Sequence, residues 1–283
     1  MIRVVVSGYG VMTRGVIPHL ARQDDISVAL LSRHLSEPPC EGVELTTLDA
    51  MVSTPPDVII GCFETDERSR EFWLDRRVGQ AVAERGAGCI EMSTLSLGWA
   101  RDWHGAVSAA GGISVESPVT GSRPGATSGT LSAFVYESAP DPRVRRVLDC
   151  FVSKRYDFHL PGNPTCFKLV YNAWGASLLH SVAAYVPTLQ DRLGKDFDVA
   201  QEILSSDGWM ALVCASKLSR VVAADFDDPD FAVRHMVKDL GYARDMVGTP
   251  HALLDLVHQS FRTAVATFGG DADYTAVAGG ASA

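Results

Sequence analysis

Ile2-Arg3-Val4-Val5-Val6-Ser7-Gly8-Tyr9-Gly10-Val11-Met12 opens the chain and decides its fold. The apolar, largely β-branched run from Ile2 to Ser7 reads as a buried strand. The two glycines read as a tight turn, and the pattern that follows, to about Arg22, as a helix. In that order Gly8 permits the turn. Gly10 lets backbone N–H groups approach a pyrophosphate at the helix N-terminus. Spacing alone carries little weight: with 25 glycines in 283 residues, chance supplies roughly two such triplets, and the chain has a second at Gly86–Gly88. The position after a first strand and before a helix raises the signal. Thr13 stands where a third glycine closes the dinucleotide fingerprint, which predicts a helix set slightly farther from its strand.

Outward from this turn, strand and helix alternate. Apolar runs at Ser27–Leu31, Asp57–Cys62 and Gly88–Met92 are separated by helical patterns, including Glu67–Arg85 and Leu97–Ala110. Further strands fit Ser114–Val115 and Leu131–Tyr136. Continuous apolar strands flanked by helices predict a mostly parallel sheet covered on both faces, a doubly wound α/β Rossmann domain over residues 1–162. Beyond Pro161-Gly162-Asn163-Pro164 no strand is convincing. Asn163 and Pro164 suit an N-cap and first helical position. From there helical spacing continues to about Leu193, with a kink expected at Pro187. Helices also fit Val199–Leu204, Gly208–Ala224, Pro229–Val247 and Pro250–Phe268. Residues 163–283 thus form an all-helical C-terminal domain, with a tail from Gly279 to Ala283 expected to fray.

Composition narrows the class. Net charge is −9, which argues against nucleic acid as the main partner. No apolar stretch reaches the ~18 residues of a membrane helix. The six cysteines contain no C-x-x-C pair, and the eight histidines no i,i+4 pair, so no metal site is expected. With no charged-then-apolar leader ahead of the first strand, the thiols read as reduced, in a cytoplasmic protein.

The end of the second strand addresses cofactor choice. Sites for NAD usually place an acid there for the ribose 2′-hydroxyl, but this strand ends Leu31-Ser32-Arg33-His34. A Ser32 hydroxyl and an Arg33 guanidinium suit a 2′-phosphate, so NADP(H) is the expected cofactor. Cys62, which ends the third strand, and Phe63 just past it complete the expected cofactor contacts with Gly8, Tyr9, Gly10, Val11 and Met12.

Several motifs, in order along nearly the whole chain, resemble the β-hydroxyacid dehydrogenase family, relatives of 3-hydroxyisobutyrate and 6-phosphogluconate dehydrogenases. Gly8-Tyr9-Gly10-Val11-Met12 resembles its opening G-x-G-x-M. Glu91-Met92-Ser93-Thr94 resembles its D-x-S-T, with Glu for Asp. Glu116-Ser117-Pro118-Val119-Thr120-Gly121-Ser122, with Gly125-Ala126 and Gly129-Thr130-Leu131, resembles its substrate loop, with Ser122 for a glycine. Lys168 and Asn172 match its catalytic K-x-x-x-N, Lys238-Asp239-Leu240 its late K-D-L, and Asp273-Tyr274 its closing acid–aromatic pair. A glutamate common about 13 residues after the asparagine is absent, Tyr185 and Val186 lying in that stretch. The resemblance implies a dinucleotide-dependent oxidoreductase. Ser93, Thr94, Thr120, Gly121, Ser122 and Trp174 would then face substrate, with Ser93 and Lys238 also near the cofactor.

Independently of the resemblance, Lys168 and Asn172 stand i,i+4 and project from one helix face. Hydride addition to a carbonyl builds negative charge on oxygen, which an ammonium can quench with a proton. Asn172 would hold the same oxygen or orient the lysine. Tyr171, Trp174 and His180 on that helix suit packing in a core or an interface. A cleft between the two domains is the expected site. Three readings follow in order: an NADPH-dependent reductase of carbonyls or dehydrogenase of hydroxy acids, an imine reductase, and a non-catalytic NADP-binding regulator. The ~30-residue helix, longer than its own domain's core needs, together with the resemblance, predicts a homodimer.

Overall fold

A computed structural model of the chain describes residues 1–280, in two compact units: Met1–Lys168, and the residues from Leu169 onward. The boundary falls inside a helix, where the sequence placed it at the Pro/Gly cluster just before.

The first unit runs β1 (Ile2–Ser7), α1 (Val11–Ala21), β2 (Ile26–Leu31), β3 (Val43–Thr46), α2 (Leu48–Ser53), β4 (Val58–Gly61), α3 (Asp66–Trp73), α4 (Arg76–Arg85), β5 (Gly88–Glu91), α5 (Leu97–Ala109) and β6 (Ile113–Glu116). It continues through β7 (Val119–Thr120), α6 (Ser122–Ser128), β8 (Leu131–Glu137), α7 (Pro142–Leu148) and β9 (Val152–Asp157). Strands lie in the order β3-β2-β1-β4-β5-β6-β8-β7, with β9 beside β8. From β3 to β6 every pairing is parallel, and β8 runs antiparallel to β6 and β7. The expected doubly wound sheet is present. Alternation within each strand explains why both faces are covered. Val4 and Val6, Val58 and Ile60, and Ile90 face one cluster, which α1 also lines through Val16, Ile17 and Leu20. Val5, Ile59 and Cys89 face the other, with Trp73, Trp99 and Trp103.

The order of connection reverses at β1, which lies between β2 and β4, and ligands of such sheets bind outside the carboxyl ends of strands at that point. Ser7 pairs with Leu31 on one side and Gly61 on the other, so the turns after β1, β2 and β4 leave the sheet in line.

The second unit contains most of α8 (Asn163–Leu193), then α9 (Phe197–Ser206), α10 (Ala211–Cys214), α11 (Leu218–Ala223), α12 (Val233–Val247), α13 (Ala252–Phe268) and α14 (Val277–Gly280). Its core runs from Leu169 and Leu179 on α8 through Val233 and Leu240 on α12 to Val257 and Phe261 on α13. No helix among the described residues is long and apolar enough to cross a membrane.

Several expected elements differ. Glu67–Arg85 is two helices, because Asp75 accepts the Arg77 N–H at 2.8 Å and restarts the chain as an N-cap. Gly208–Ala224 is likewise broken into α10 and α11. Helix α12 starts at Val233, since the buried Asp273 carboxylate takes the Asp230 N–H at 3.0 Å and holds the preceding residues as an extended bridge. Helix α8 runs on through Pro187, as expected. Strands β3 and β9 were not anticipated, being short or polar. Of the tail, Gly279 and Gly280 end α14, and 281–283 lie outside the described residues.

Candidate active site

The turn between β1 and α1 depends on its glycines. Gly8 has φ +94°, and a Cβ there would lie 2.2 Å from the Cys62 carbonyl oxygen, so only glycine lets β1 exit against β4. At Gly10 a Cβ would meet no atom within 4 Å. Its N–H is taken by the Thr13 hydroxyl at 3.0 Å, and Thr13 is fully buried. Thr13 thus caps the helix. Gly15 lets α6 approach α1, since a Cβ there would fall 2.7 Å from the backbone of Ala126. The Tyr9 ring is covered by the Arg14 guanidinium, Val11 is exposed, and Met12 packs against the core.

Beside the turn, the Cys62 N–H bonds to the Ser7 carbonyl at 3.1 Å and the Phe63 N–H to the Ser93 hydroxyl at 2.6 Å. Ser93 is itself held by Glu91, which accepts both its N–H and its hydroxyl proton. Glu91 is buried at the end of β5 and also accepts from Ser69 at 2.7 Å and Trp73 at 2.8 Å. Burial pushes its carboxyl up, against these donated bonds. The Ser93 hydroxyl, expected as a donor to substrate, therefore spends its proton on Glu91 and ties the turns after β4 and β5 together. Thr94 follows directly on this turn.

At the end of β2 the Ser32 oxygen accepts the His34 N–H at 3.3 Å. The Arg33 guanidinium is exposed and forms a two-bonded pair with Glu71 at 3.0 and 3.2 Å. Thr120 ends β7. Gly121 has φ +126° and Ser122 φ +51°, so the serine that replaces a family glycine occupies the left-handed conformation glycine favours. A Cβ at Gly121 would crowd Leu131 at 3.0 Å.

Helix α8 begins differently from the expected Asn163 cap. The Glu116 carboxylate, buried at the end of β6, accepts the N–H groups of Gly162 and Thr165 at 2.7 Å each and His104 Nε2 at 2.9 Å. Burial alone would raise this carboxyl, yet the bonds from His104, Thr165 and Gly162 hold it below the ordinary carboxylate range. A negative charge at a helix N-terminus also meets the positive end of the helix dipole. Lys168 lies one turn beyond Thr165 and is only 7 % exposed; Asn172 is 9 % exposed.

In the second unit the Asn172 amide donates to Asp239 on α12 at 2.7 Å. The other oxygen of Asp239, itself buried, lies 3.0 Å from Lys238 Nζ, which sits over the Tyr242 ring. Lys238 is thus an ion-pair partner of the residue that orients Asn172. Trp174 is 69 % exposed and Tyr171 46 %, so neither is core in the isolated chain. His180 is part-buried, and burial lowers its imidazole. Glu91, Glu116, Asp239 and Glu71 are the residues that sequence reasoning left without a structural role. The first three sit inside motifs quoted for other members, and only a buried acid beside each functional group marked them.

Two family models divide the chain. The NAD binding domain of 6-phosphogluconate dehydrogenase matches residues 3–153, and the NAD-binding domain of NADP-dependent 3-hydroxyisobutyrate dehydrogenase matches 162–280. Among solved structures, the 3-hydroxyisobutyrate dehydrogenase of Mycobacterium tuberculosis, determined with L-serine, is 22% identical with a TM-score of 0.82, covering 99% of this chain and 98% of that one. The Salmonella typhimurium 3-hydroxyisobutyrate dehydrogenase is also 22% identical, with a TM-score of 0.78 and 99% of both chains covered. An imine reductase of Myxococcus stipitatus with NADP+ is 15% identical, TM-score 0.59, over 97% of this chain and 98% of that one. A curated relative, the cytokine-like nuclear factor N-PAC of Anopheles gambiae, is 25% identical over 244 residues, 83% of this chain; the chain spans 42% of that relative's length.

Proposed function

The chain belongs to the β-hydroxyacid dehydrogenase family, whose members are nicotinamide-dinucleotide oxidoreductases, and on that premise we propose that it is an NADPH-dependent reductase of small carbonyl compounds, or the dehydrogenase of the matching hydroxy acids. The observation that carries this reading is the placement of Lys168 and Asn172, one turn apart on α8 and both buried. An ammonium held in a low-exposure position is a proton donor for an alkoxide, and a fixed amide beside it can hold the same oxygen.

The residues present suit the cofactor. Gly8 permits the turn, Gly10 leaves the backbone open to a pyrophosphate, and Ser32 and Arg33 at the end of β2 would take a 2′-phosphate. When bound, the nicotinamide supplies the hydride to the carbonyl carbon, or removes it in the reverse direction. Lys168 gives its proton to the carbonyl oxygen as negative charge develops there, and takes one back from the hydroxyl in the reverse direction. Asn172, turned by its one bond to Asp239, keeps a second amide N–H to hold that oxygen and a carbonyl oxygen to accept from a substrate hydroxyl. Thr94, Thr120, Gly121 and Ser122 would receive the polar head of the substrate. Trp174, two residues past Asn172 on α8, turns away from the Lys168/Asn172 face and is left to the dimer interface.

Reduction of C=N is the second reading, favoured by the exposed aromatic Tyr171 and Trp174. One screen tests both: NADPH consumption with aldehydes, 2-oxo acids, 3-oxo acids and cyclic imines. Turnover of the oxo compounds supports the first reading and turnover of imines alone the second. Tight NADPH binding with no turnover of any class would make the chain a dinucleotide-binding regulator. We place the protein in the cytoplasm as a homodimer. Its described cysteines are all free thiols, and α8 carries Trp174 and Tyr185 exposed at 69 % and 70 % in the single chain. Light scattering at micromolar concentration should give about twice 30.4 kDa; a monomer mass overturns the dimer.

A further inference from the structure

Around Arg33 the surface is more elaborate than a single guanidinium. Helix α3 leaves β4 on the same edge of the sheet as Arg33, and its inner side is anchored: Ser69 and Trp73 both donate to the buried Glu91. Its outer side carries Arg68 and, three residues on, Glu71. The Glu71 carboxylate accepts two bonds from Arg33 and, on its second oxygen, one from Arg68 at 2.9 Å. One carboxylate therefore bridges two guanidiniums. All three side chains are more than half exposed, so the network is open to a competing anion. The two arginines hold the Glu71 carboxyl below the ordinary carboxylate range, and it stays charged at neutral pH.

We propose that Arg68 is a second 2′-phosphate residue beside Arg33, and that Glu71 is an internal mimic of that phosphate which the cofactor must displace. The inference rests on the reading of Arg33 as the NADP-selecting residue. A phosphate monoester offers three oxygens and close to two charges to the same two guanidiniums, where Glu71 offers two oxygens and one charge. It can therefore win the exchange, although part of its binding free energy is spent breaking the Arg33–Glu71 and Arg68–Glu71 pairs. NADH carries only a hydroxyl at this position. It cannot displace Glu71, and Glu71 can accept a hydrogen bond from that hydroxyl. The three residues together set the preference: the arginines favour NADPH and Glu71 moderates it.

The test is fluorescence titration of the full chain with NADPH and with NADH for Arg33→Ala, Arg68→Ala and Glu71→Gln, a binding readout independent of turnover. Arg68→Ala is expected to weaken NADPH roughly five- to tenfold with NADH changed less than twofold. Glu71→Gln is expected to tighten NADPH about fivefold while leaving NADH equal or weaker. None of the three residues contributes to the core, and circular dichroism checks that each variant is folded. If Arg33→Ala erodes the NADPH preference while Arg68→Ala and Glu71→Gln leave the NADPH-to-NADH ratio within twofold of the parent, this inference falls and the cofactor assignment stands. If Arg33→Ala leaves the ratio unchanged, the assignment beneath it falls as well.

Discussion

Asp239 accepts the Asn172 amide at 2.7 Å, and this bond fixes how the asparagine side chain is turned. One of its two amide hydrogens is engaged, which leaves the second N–H and the carbonyl oxygen to act. The pair is buried, so losing either partner leaves a polar group without its counterpart. Asn172→Ala and Asp239→Ala should each lower kcat by roughly 10–100-fold, the range expected for lost positioning. The double variant should be no worse than the weaker single one, because both remove the same orientation. Losses that multiply in the double variant would show that Asp239 acts elsewhere.

On the proposed assignment of the phosphates to the glycine turn and the end of β2, Lys168→Met should leave NADPH affinity nearly unchanged. Turnover should fall by about 10²–10⁴, the usual share of general acid–base catalysis. Lys168→Arg should recover little, because a guanidinium does not release its proton at working pH. With preformed iminium substrates the loss should be milder, as these already carry the positive charge. Single-turnover NADPH oxidation reads the step directly; a methionine variant keeping more than about a third of the parent rate on a carbonyl ends the assignment.

What could be read from the sequence divides along the lengths of the contacts. The strand–glycine turn–helix at Ile2–Ala21 is local, and Gly8, Gly10 and the Lys168/Asn172 pair are all within one turn or one helix face. They were legible for that reason. The groups that hold them were not. Glu71 meets Arg33 across 38 residues, Glu116 meets Gly162 across 46, and Asp239 meets Asn172 across 67. No periodicity reports a bond of that separation. Strand β9, Val152-Ser153-Lys154-Arg155-Tyr156-Asp157, was missed because it is mostly polar and half exposed, with no apolar alternation to give it away.

Glu116 gives the fold a pH dependence of known sign. Its carboxyl is held below its unfolded value, so its contribution is fully present above about pH 4.3 and is lost as pH falls through the folded value. Glu91 has the opposite sign, since burial raises it: its contribution is greatest at low pH and fades as pH rises through its folded value. Glu116→Gln isolates the first term, because the neutral amide would turn N–H donors toward those of Gly162, Thr165 or His104. The variant should lose about 2–3 kcal/mol in urea denaturation at pH 7. That gap should narrow between pH 5 and pH 3 as the parent's own carboxylate is protonated. A gap that is constant across this interval would show that the lost charge is not the cause.

Ser122 sits at φ +51° in the loop expected to face substrate, a conformation that costs a non-glycine residue about 1–2 kcal/mol. Part of this is returned by the smaller chain entropy serine loses on folding relative to glycine. Ser122→Gly should therefore raise stability slightly, by roughly 0.5–1 kcal/mol. If the hydroxyl holds the substrate head, the same change should raise KM on the best substrate about fivefold or more, the loss of one hydrogen bond. Stabilisation with unchanged KM would remove Ser122 from the substrate contacts.

The two glycines of the opening turn should fail in different ways, and the difference tests what each is for. At Gly8 an added Cβ meets the Cys62 carbonyl oxygen at 2.2 Å, and φ +94° is a conformation an alanine resists. The carbonyl belongs to the backbone at the end of β4 and cannot swing aside as a side chain would, so Gly8→Ala must displace a central strand of the sheet. A loss of about 2–4 kcal/mol in denaturant stability is expected, comparable to other core overpacking and left-handed backbone penalties. At Gly10 the backbone is extended and a Cβ meets nothing within 4 Å, so Gly10→Ala should fold with parent stability. Its methyl would instead stand where a pyrophosphate approaches the helix N-terminus, and NADPH affinity should drop by about tenfold or more. Paired denaturation and fluorescence titration separate the outcomes. If Gly10→Ala binds NADPH as well as the parent, the turn is an ordinary strand-to-helix connection and the cofactor is held elsewhere.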